Sequence, residues 1–194
     1  MVQSVTENTK TDYFEIRNEF KNGDILLYKG RTWISKAIQW FTGSEYSHAG
    51  IVAWWNDRLM VLESVDKGVV VTPMSKNIKK YWGDVEWFQS IEEISDEQRL
   101  KMLEYAQEEL GKEYNQFQIL IIGFKILLGQ NVKHSDKLRK SKKLFCSHYV
   151  SSVYNYIGMD LKEKLSDDFT SPDDIAKSPK LVKKAVLKIQ KIKK

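Results

Sequence analysis

The chain has 194 residues, of which 42% are hydrophobic and 12% aromatic, so a single domain can bury a full core. Its one cysteine excludes an intramolecular disulfide, and the polar residues 1–10 lack the apolar core of a secretory signal, so we expect a cytoplasmic protein. The net charge is +5, but residues 181–194 carry six lysines and no acid, and the remaining chain holds 25 Lys and Arg against 26 Asp and Glu. No nucleic-acid partner is expected, because the basic end has no interleaved aromatic residues and no recognisable binding motif.

The predicted elements begin with a strand over residues 24–28, which follows a turn at Asn22 and Gly23. A short amphipathic helix is predicted over residues 33–41, and then a hairpin over residues 48–65 that turns near residues 56–58. Further strands are predicted at the ranges 69–72 and 85–89. About five strands therefore precede the helical second half.

A helix is predicted to begin after Ser95, where Gln98 three residues later completes a capping box, and to stop at Gly111. Strands clustered before helices indicate an α+β domain. We expect the helix that follows Cys146 to pack against the sheet edge that carries His48.

Two segments before Cys146 have unusual composition. Residues 117–129 are strongly apolar but too short to span a bilayer, which needs about 20 apolar residues. They indicate a core helix or a helix that faces lipid or lines a substrate groove. Residues 133–143 carry six positive charges and one acid, and they indicate a surface loop or one wall of an entrance that attracts negative substrates.

Cys146 stands directly before a predicted helix. A thiol at a helix N-terminus lies near the positive end of the dipole and near unpaired backbone N–H groups, which lower its pKa and can hold an oxyanion. A lone cysteine is also often a small buried hydrophobic residue. The local sequence therefore leaves both interpretations open.

His48 opens the first strand of the predicted hairpin, and Glu63 interrupts its apolar return strand. Residues near the open end of a hairpin lie across from each other, so His48 and Glu63 are expected to be cross-strand neighbours. An acid beside an imidazole holds its tautomer and orientation, which is the third role in a Cys-His hydrolase. One cysteine and three scattered histidines offer no metal-ligand pair, and no phosphate-cradling glycine loop is present, so no cofactor is expected.

Five short motifs follow one another along the chain. They are Gly23-Asp24-Ile25-Leu26-Leu27, Ser47-His48-Ala49-Gly50-Ile51, Leu62-Glu63-Ser64, Phe145-Cys146-Ser147, and Ser171-Pro172-Asp173-Asp174-Ile175 with Ser178-Pro179. Taken together, these motifs resemble the circularly permuted papain-like cysteine hydrolases, the YiiX/YebB-like branch of the NlpC superfamily. The resemblance spans residues 20–180, and within it the histidine and the acid precede the cysteine, as in the permuted branch.

The resemblance implies Cys146 as nucleophile, His48 as general base and Glu63 as orienting acid. Backbone N–H groups near Cys146 and Ser147 would then hold the oxyanion. Tyr46 and Asp24 are candidates for the substrate cleft, but packing explains Tyr46 equally well, and a turn or strand-end role explains Asp24 as well as any contact with substrate. The superfamily includes peptidases, amidases and lipid acyltransferases or thioesterases, so the resemblance leaves the substrate open.

Three regions are expected along the chain: an N-terminal extension at residues 1–19, a hydrolase domain at residues 20–180 and a basic tail at residues 181–194. Apolar residues of the tail recur every three or four positions, which predicts an amphipathic helix. Such a helix could lie on an anionic membrane surface or pack on its own domain.

The predicted function is a cysteine hydrolase that acts on an amide, peptide or ester bond through a Cys-His-Glu triad and an acyl-enzyme. Two alternatives remain open at this point. The first is a lipid-directed acyltransferase or thioesterase, which would suit the apolar segment and the basic tail. The second is a ligand-binding module on the same fold without turnover.

Overall fold

The computed structural model describes residues 10–65, 68–112, 146–162 and 170–189. Seven strands of this part of the chain form one sheet in the order β1-β7-β6-β2-β3-β4-β5. All neighbours pair antiparallel except β1 and β7, which are parallel. The strands are β1 (Lys10–Asp12), β2 (Ile25–Gly30), β3 (His48–Trp55), β4 (Arg58–Val65), β5 (Gly68–Pro73), β6 (Gly83–Ser90) and β7 (Leu181–Lys188).

Helices cover both faces of this sheet. They are α1 (Tyr13–Ile16), α2 (Trp33–Thr42), α3 (Met74–Lys80), α4 (Asp96–Glu108), α5 (Cys146–Tyr156) and α6 (Pro172–Ala176). Buried residues of α4 and α5 pack with one set of alternate strand residues, and those of α1 and α3 pack with the other set. We call these the α5 face and the α3 face. The α+β class is therefore confirmed.

Strand β2 lies at the centre of the sheet, and Ile25, Leu26, Leu27 and Tyr28 are all fully buried. Successive side chains of a strand point to opposite faces, so a run without polar residues is expected where both faces are covered. Ile25 and Leu27 lie on the α5 face, and Leu26 and Tyr28 lie on the α3 face. The centre of the domain is thus a sheet between two apolar layers.

The β3–β4 hairpin has the predicted position. Its register pairs Trp55 with Arg58 and Ile51 with Leu62, which leaves a two-residue turn at Asn56 and Asp57. Asn56 has a φ of 54°, the left-handed conformation that short hairpin turns require and that Asn adopts more readily than most residues. The capping box predicted before α4 is also present, with Ser95 and Gln98 each bonded to the other's backbone N–H.

The prediction of a helix over residues 181–194 is wrong for its described part, because Leu181–Lys188 form strand β7. A register shift against β6 skips Lys184, so the buried Leu181 lies on the α5 face while Ala185 and Leu187 lie on the α3 face. A β-bulge of this kind changes the phase of the alternation. As a result, apolar residues recur every three or four positions, which is also the spacing of an amphipathic helix.

The prediction of about five strands is also too low, since β1 and β7 were not predicted. They come from the segments assigned to an N-terminal extension and a tail, and both belong to the same sheet as the rest of the domain. The apolar residues 117–129 and the basic residues 133–143 lie outside the described residues. In the part of the chain that the structure describes, no helix is long and apolar enough to cross a membrane.

Candidate active site

Cys146 is the first residue of α5, the helix that packs on β3. Its side chain is nearly buried, and its sulfur interacts with the His48 imidazole and with the backbone N–H groups of Ala49 and Ser147. Burial by itself would raise the pKa of Cys146, but the charge of His48 and these hydrogen bonds outweigh it and lower the pKa below its usual value. The surroundings of the thiol therefore favour a thiolate.

His48 is held on its other side by Glu63, whose Oε2 lies 2.8 Å from Nε2 of the imidazole. Because Nε2 is engaged by the carboxylate, Nδ1 is the ring nitrogen left to face the thiol. Burial alone would lower the pKa of His48, but Cys146 and Glu63 favour the imidazolium and raise the pKa to about 10. The cysteine and the histidine thus favour each other's charged forms.

The strand register explains how Glu63 reaches His48. The register pairs Ile51 with Leu62, so the next pair sets Gly50 opposite Glu63. His48 lies two residues before Gly50 and is therefore a diagonal neighbour of Glu63. A Cβ at Gly50 would lie 2.8 Å from Cγ1 of Val61 and 3.4 Å from Cβ of Glu63. Glycine at this position leaves the Glu63 side chain room to cross toward the imidazole.

Asn77 of α3 holds the other oxygen of this carboxylate. Its Nδ2 donates to Oε1 of Glu63 at 2.7 Å, and its Oδ1 accepts from the Tyr28 hydroxyl at 2.9 Å. Burial and the charge of Glu63 raise the pKa of Tyr28 well above its usual value, so its hydroxyl remains a donor. This donor orients the Asn77 amide, and the amide in turn orients the carboxylate.

Aromatic rings complete the setting of His48. Tyr28 stands directly opposite His48 in the pairing of β2 with β3, and their ring centroids are 5.1 Å apart. Tyr81 packs edge-on against Tyr28 at 4.9 Å, and its hydroxyl lies 3.3 Å from Oγ of Ser47. The roles of Asn77, Tyr28 and Tyr81 were not predicted, because nothing in the local sequence indicates that α3 folds over the start of β3.

A cleft of about 580 Å³ opens beside this cluster. His48 and Glu63 form part of its wall, together with Asn77, Tyr81 and two lysines of α3. The cleft gives a ligand access to the imidazole and the carboxylate, and Cys146 lies behind His48 and is not among the lining residues.

The two residues named as candidates for the cleft, Tyr46 and Asp24, lie elsewhere. Tyr46 is buried, and its hydroxyl donates to Oε2 of the buried Glu86 at 2.7 Å, while Nζ of Lys29 lies 4.8 Å from the centre of its ring. Glu86 also pairs with Lys183 of β7. Tyr46 therefore belongs to a network that joins β6 and β7, and not to the cleft wall.

Asp24 is also a structural residue. It is fully buried before the start of β2, where its Oδ2 accepts from the Trp87 indole and the Gln89 amide, both at 2.9 Å, and from the Lys21 backbone N–H at 3.0 Å. The cluster around His48 lies at the opposite end of this strand, beside Tyr28. Ser147 is buried next to Cys146, and its hydroxyl donates to the backbone oxygen of Thr170.

Comparisons with known proteins identify relatives of this chain. The sequence model of a family described as a permuted papain-like amidase enzyme, the YaeF/YiiX, C92 family, matches residues 19–186. Among solved structures, the chain is similar to the crystal structure of metalloprotein yiiX from Escherichia coli O157:H7. The two share 27% identity over 86% of this chain and 97% of that one, with a TM-score of 0.63. The comparison with curated proteins found no match.

Because the yiiX protein is described as a metalloprotein, the donor residues of this chain bear on whether it could hold a metal. Among the described ranges, no group of three His, Cys, Asp or Glu side chains is placed to hold an ion. His48 and Glu63 are bonded to each other, and the second oxygen of Glu63 is taken by Asn77. The described donor set therefore does not fit a resident metal.

Proposed function

Because this chain belongs to the permuted papain-like amidase family, YaeF/YiiX, we propose that it is a cysteine hydrolase that cleaves an amide, peptide or ester bond through an acyl-enzyme. Cys146 acts as the nucleophile, His48 as the general base and acid, and Glu63 as the residue that orients His48. The observation that carries the proposal is the continuous set of contacts from the thiol through the imidazole to the carboxylate.

The reaction follows from the protonation states that these contacts favour. The Cys146 thiolate attacks the carbonyl carbon, and the His48 imidazolium gives its proton to the leaving nitrogen or oxygen as that bond breaks. A water molecule then attacks the thioester, His48 accepts its proton, and the thiolate leaves. The proton and the thiolate are both restored at the end of the cycle.

The start of α5 supplies groups for the oxyanion. The first N–H groups of a helix have no acceptor within it, and they lie at the positive end of its dipole. Because α5 begins at Cys146, these donors lie in the same helical turn as the thiol. The backbone N–H groups at Cys146 and Ser147 are therefore the proposed oxyanion donors.

Hydrolysis of a panel of peptide anilides and p-nitrophenyl esters tests this proposal. Cys146→Ala removes the nucleophile, so kcat on any active substrate should fall by at least about 1,000-fold. Ser152→Ala, a half-buried serine on the same helix, is the matched control and should leave kcat within about twofold. Mass spectrometry of the wild-type protein should find the acyl group on the peptide that contains Cys146.

Unchanged hydrolysis in Cys146→Ala would show that the mechanism is wrong. The binding-module alternative predicts a different result. No substrate would then turn over, and Cys146 would react with iodoacetamide only near the pH range of a free thiol, about 8.5.

A further inference from the structure

Among the described residues, the charged groups that are free to contact a ligand in the cleft beside His48 are all positive. Its ionisable wall residues, among those the structure describes, are His48, Glu63, Tyr81 and the two lysines of α3, Lys76 and Lys80. The Glu63 carboxylate is already engaged, by His48 at one oxygen and by Asn77 at the other. The charges left free to meet a ligand are therefore the two ammonium groups.

Lys76 and Lys80 are spaced four residues apart, so they lie on the same side of α3. Both are exposed, and no carboxylate in the described part of the chain lies within ion-pair distance of either one. Two like charges at this spacing destabilise a helix slightly. An anion placed between them would remove that repulsion.

The neutral wall residues add hydrogen-bond donors. Hydroxyl groups of Thr72 and Tyr81 line the same cleft, beside Ser35 and Ser47, whose hydroxyls already bond to Thr32 and to the Tyr28 backbone oxygen. A hydroxyl can donate to an anionic oxygen, and charge-assisted hydrogen bonds of this kind are stronger than neutral ones. Among the wall residues that the structure describes, cations are combined with donors, and the one carboxylate is occupied.

We propose that this cleft recognises a carboxylate on the substrate, next to the amide that is cleaved, and that Lys76 and Lys80 are the residues that select it. The inference rests on the proposed function, because it names the substrate class of the same site. An amide substrate with a neighbouring carboxylate would then be preferred over its neutral carboxamide counterpart.

Two alkylating reagents test the charge of the cleft without a known substrate. Iodoacetate carries a carboxylate and iodoacetamide does not, and both react with the thiolate of Cys146. In the double variant Lys76→Ala/Lys80→Ala, the ratio of the iodoacetate rate to the iodoacetamide rate should fall on the order of fivefold relative to wild type. Added salt should reduce this difference.

Lys79→Ala is the matched control, since Lys79 is an exposed lysine of the same helix that does not line the cleft. It removes a neighbouring charge and should leave the ratio within about twofold of wild type. A second variant, Lys76→Glu, should lower the ratio further than Lys76→Ala. Circular dichroism of each variant verifies that it is folded.

Protection of the thiol identifies the anion. N-acetylglycine should slow alkylation by iodoacetamide in the wild type and not in the double variant, and N-acetylglycinamide should protect neither. Protection by inorganic phosphate but not by N-acetylglycine would overturn the carboxylate assignment.

The outcomes separate this inference from the proposed function. If Cys146 is reactive below pH 8.5 but the ratio of rates is the same in the double variant, the inference is wrong and the proposed function stands. If the thiol reacts slowly with both reagents, the proposed function fails. Calorimetry with N-acetylglycine then decides the inference, because binding that is lost in the double variant supports it and absent binding overturns it.

Discussion

At the scale of single residues, the candidate site depends on how one imidazole is held. Glu63 bonds His48 at 2.8 Å and is itself fixed by Asn77 at 2.7 Å. A carboxylate that is held on both oxygens has little freedom to turn away from the ring. The orientation of His48 is therefore a consequence of one small, nearly buried network, and the Glu63 carboxylate of that network adds to the effect of Cys146 in raising the pKa of His48.

Glu63→Gln tests this network, because glutamine retains the size of the side chain and removes its charge. Without the carboxylate the imidazolium is less favoured, so the pKa of His48 should fall. The pKa of Cys146 should then rise, because its thiolate loses a charged partner. Measured as the rate of alkylation by iodoacetamide against pH, the rise in reactivity should move about 1–3 pH units higher.

Glu104→Gln, at an exposed acid of α4, is the control for that measurement and should leave the profile in place. A Glu63→Gln profile that coincides with that of the wild type would mean that the carboxylate does not affect the pKa of the Cys146 thiol.

At the scale of elements, β7 changes how the basic end of the chain is understood. It pairs with β6 on one side and with β1 on the other, and it buries Leu181, Ala185 and Leu187. Lys183 pairs with the buried Glu86, so this lysine has an internal partner. Residues 181–188 therefore do not form the amphipathic helix expected on a membrane surface, and membrane binding by the basic end stays a prediction.

Truncation tests the structural role of β7. Removal of residues 181–194 exposes the edge of β6 and leaves Glu86 without Lys183, so the free energy of unfolding should fall by at least about 3 kcal/mol. Denaturant titration monitored by circular dichroism measures this change. Removal of residues 190–194 alone keeps β7 and should change the free energy by less than about 1 kcal/mol.

A protein shortened at residue 180 that remains as stable as wild type would contradict this role for β7. Residues 181–194 would then be a tail that does not contribute to the stability of the domain.

At the scale of the whole molecule, the sheet carries two apolar layers, and each contributes a different part of the candidate site. The layer on the α5 face contains Cys146, and the layer on the α3 face contains Tyr28. The Cys146 thiol comes from the layer on the α5 face, and the His48 imidazole lies next to the layer on the α3 face. The two groups come together at the beginning of β3. The site is therefore assembled only when both layers are packed on the same sheet.

Amide hydrogen exchange should reflect this organisation. Strand β2 is paired on both sides and buried on both faces, whereas β5 is paired only with β4 among the described strands. Amides of β2 and β3 should therefore exchange only by global unfolding, and those of β5 by smaller local openings. Exchange followed by mass spectrometry should find β2 slowest, and equal rates in β2 and β5 would contradict the two-layer description.

Much of the site could be predicted because its determinants are local. The thiol of Cys146 makes this residue a candidate nucleophile by its chemistry alone. A hairpin with a two-residue turn places His48 and Glu63 on neighbouring strands, independently of the rest of the chain. The order of histidine, acid and cysteine supported the resemblance to permuted papain-like hydrolases, and the family match confirmed it. The capping box at Ser95 was predictable for the same reason, since both partners lie within one helical turn.

The sequence by itself thus determined the hairpin and the fold class and selected Cys146, His48 and Glu63 as candidate site residues, because each depends on side-chain chemistry or on neighbours along the chain. Only the tertiary structure decided the side-chain hydrogen bonds of Tyr46 and Asp24, because Glu86 lies 40 residues from Tyr46, and Trp87 and Gln89 lie 63 and 65 residues from Asp24. It also decided that residues 181–188 form a strand, because β6 supplies the partner that a bulged apolar pattern requires. Asn77 and the cleft lysines escaped prediction because their roles depend on where α3 packs over the sheet.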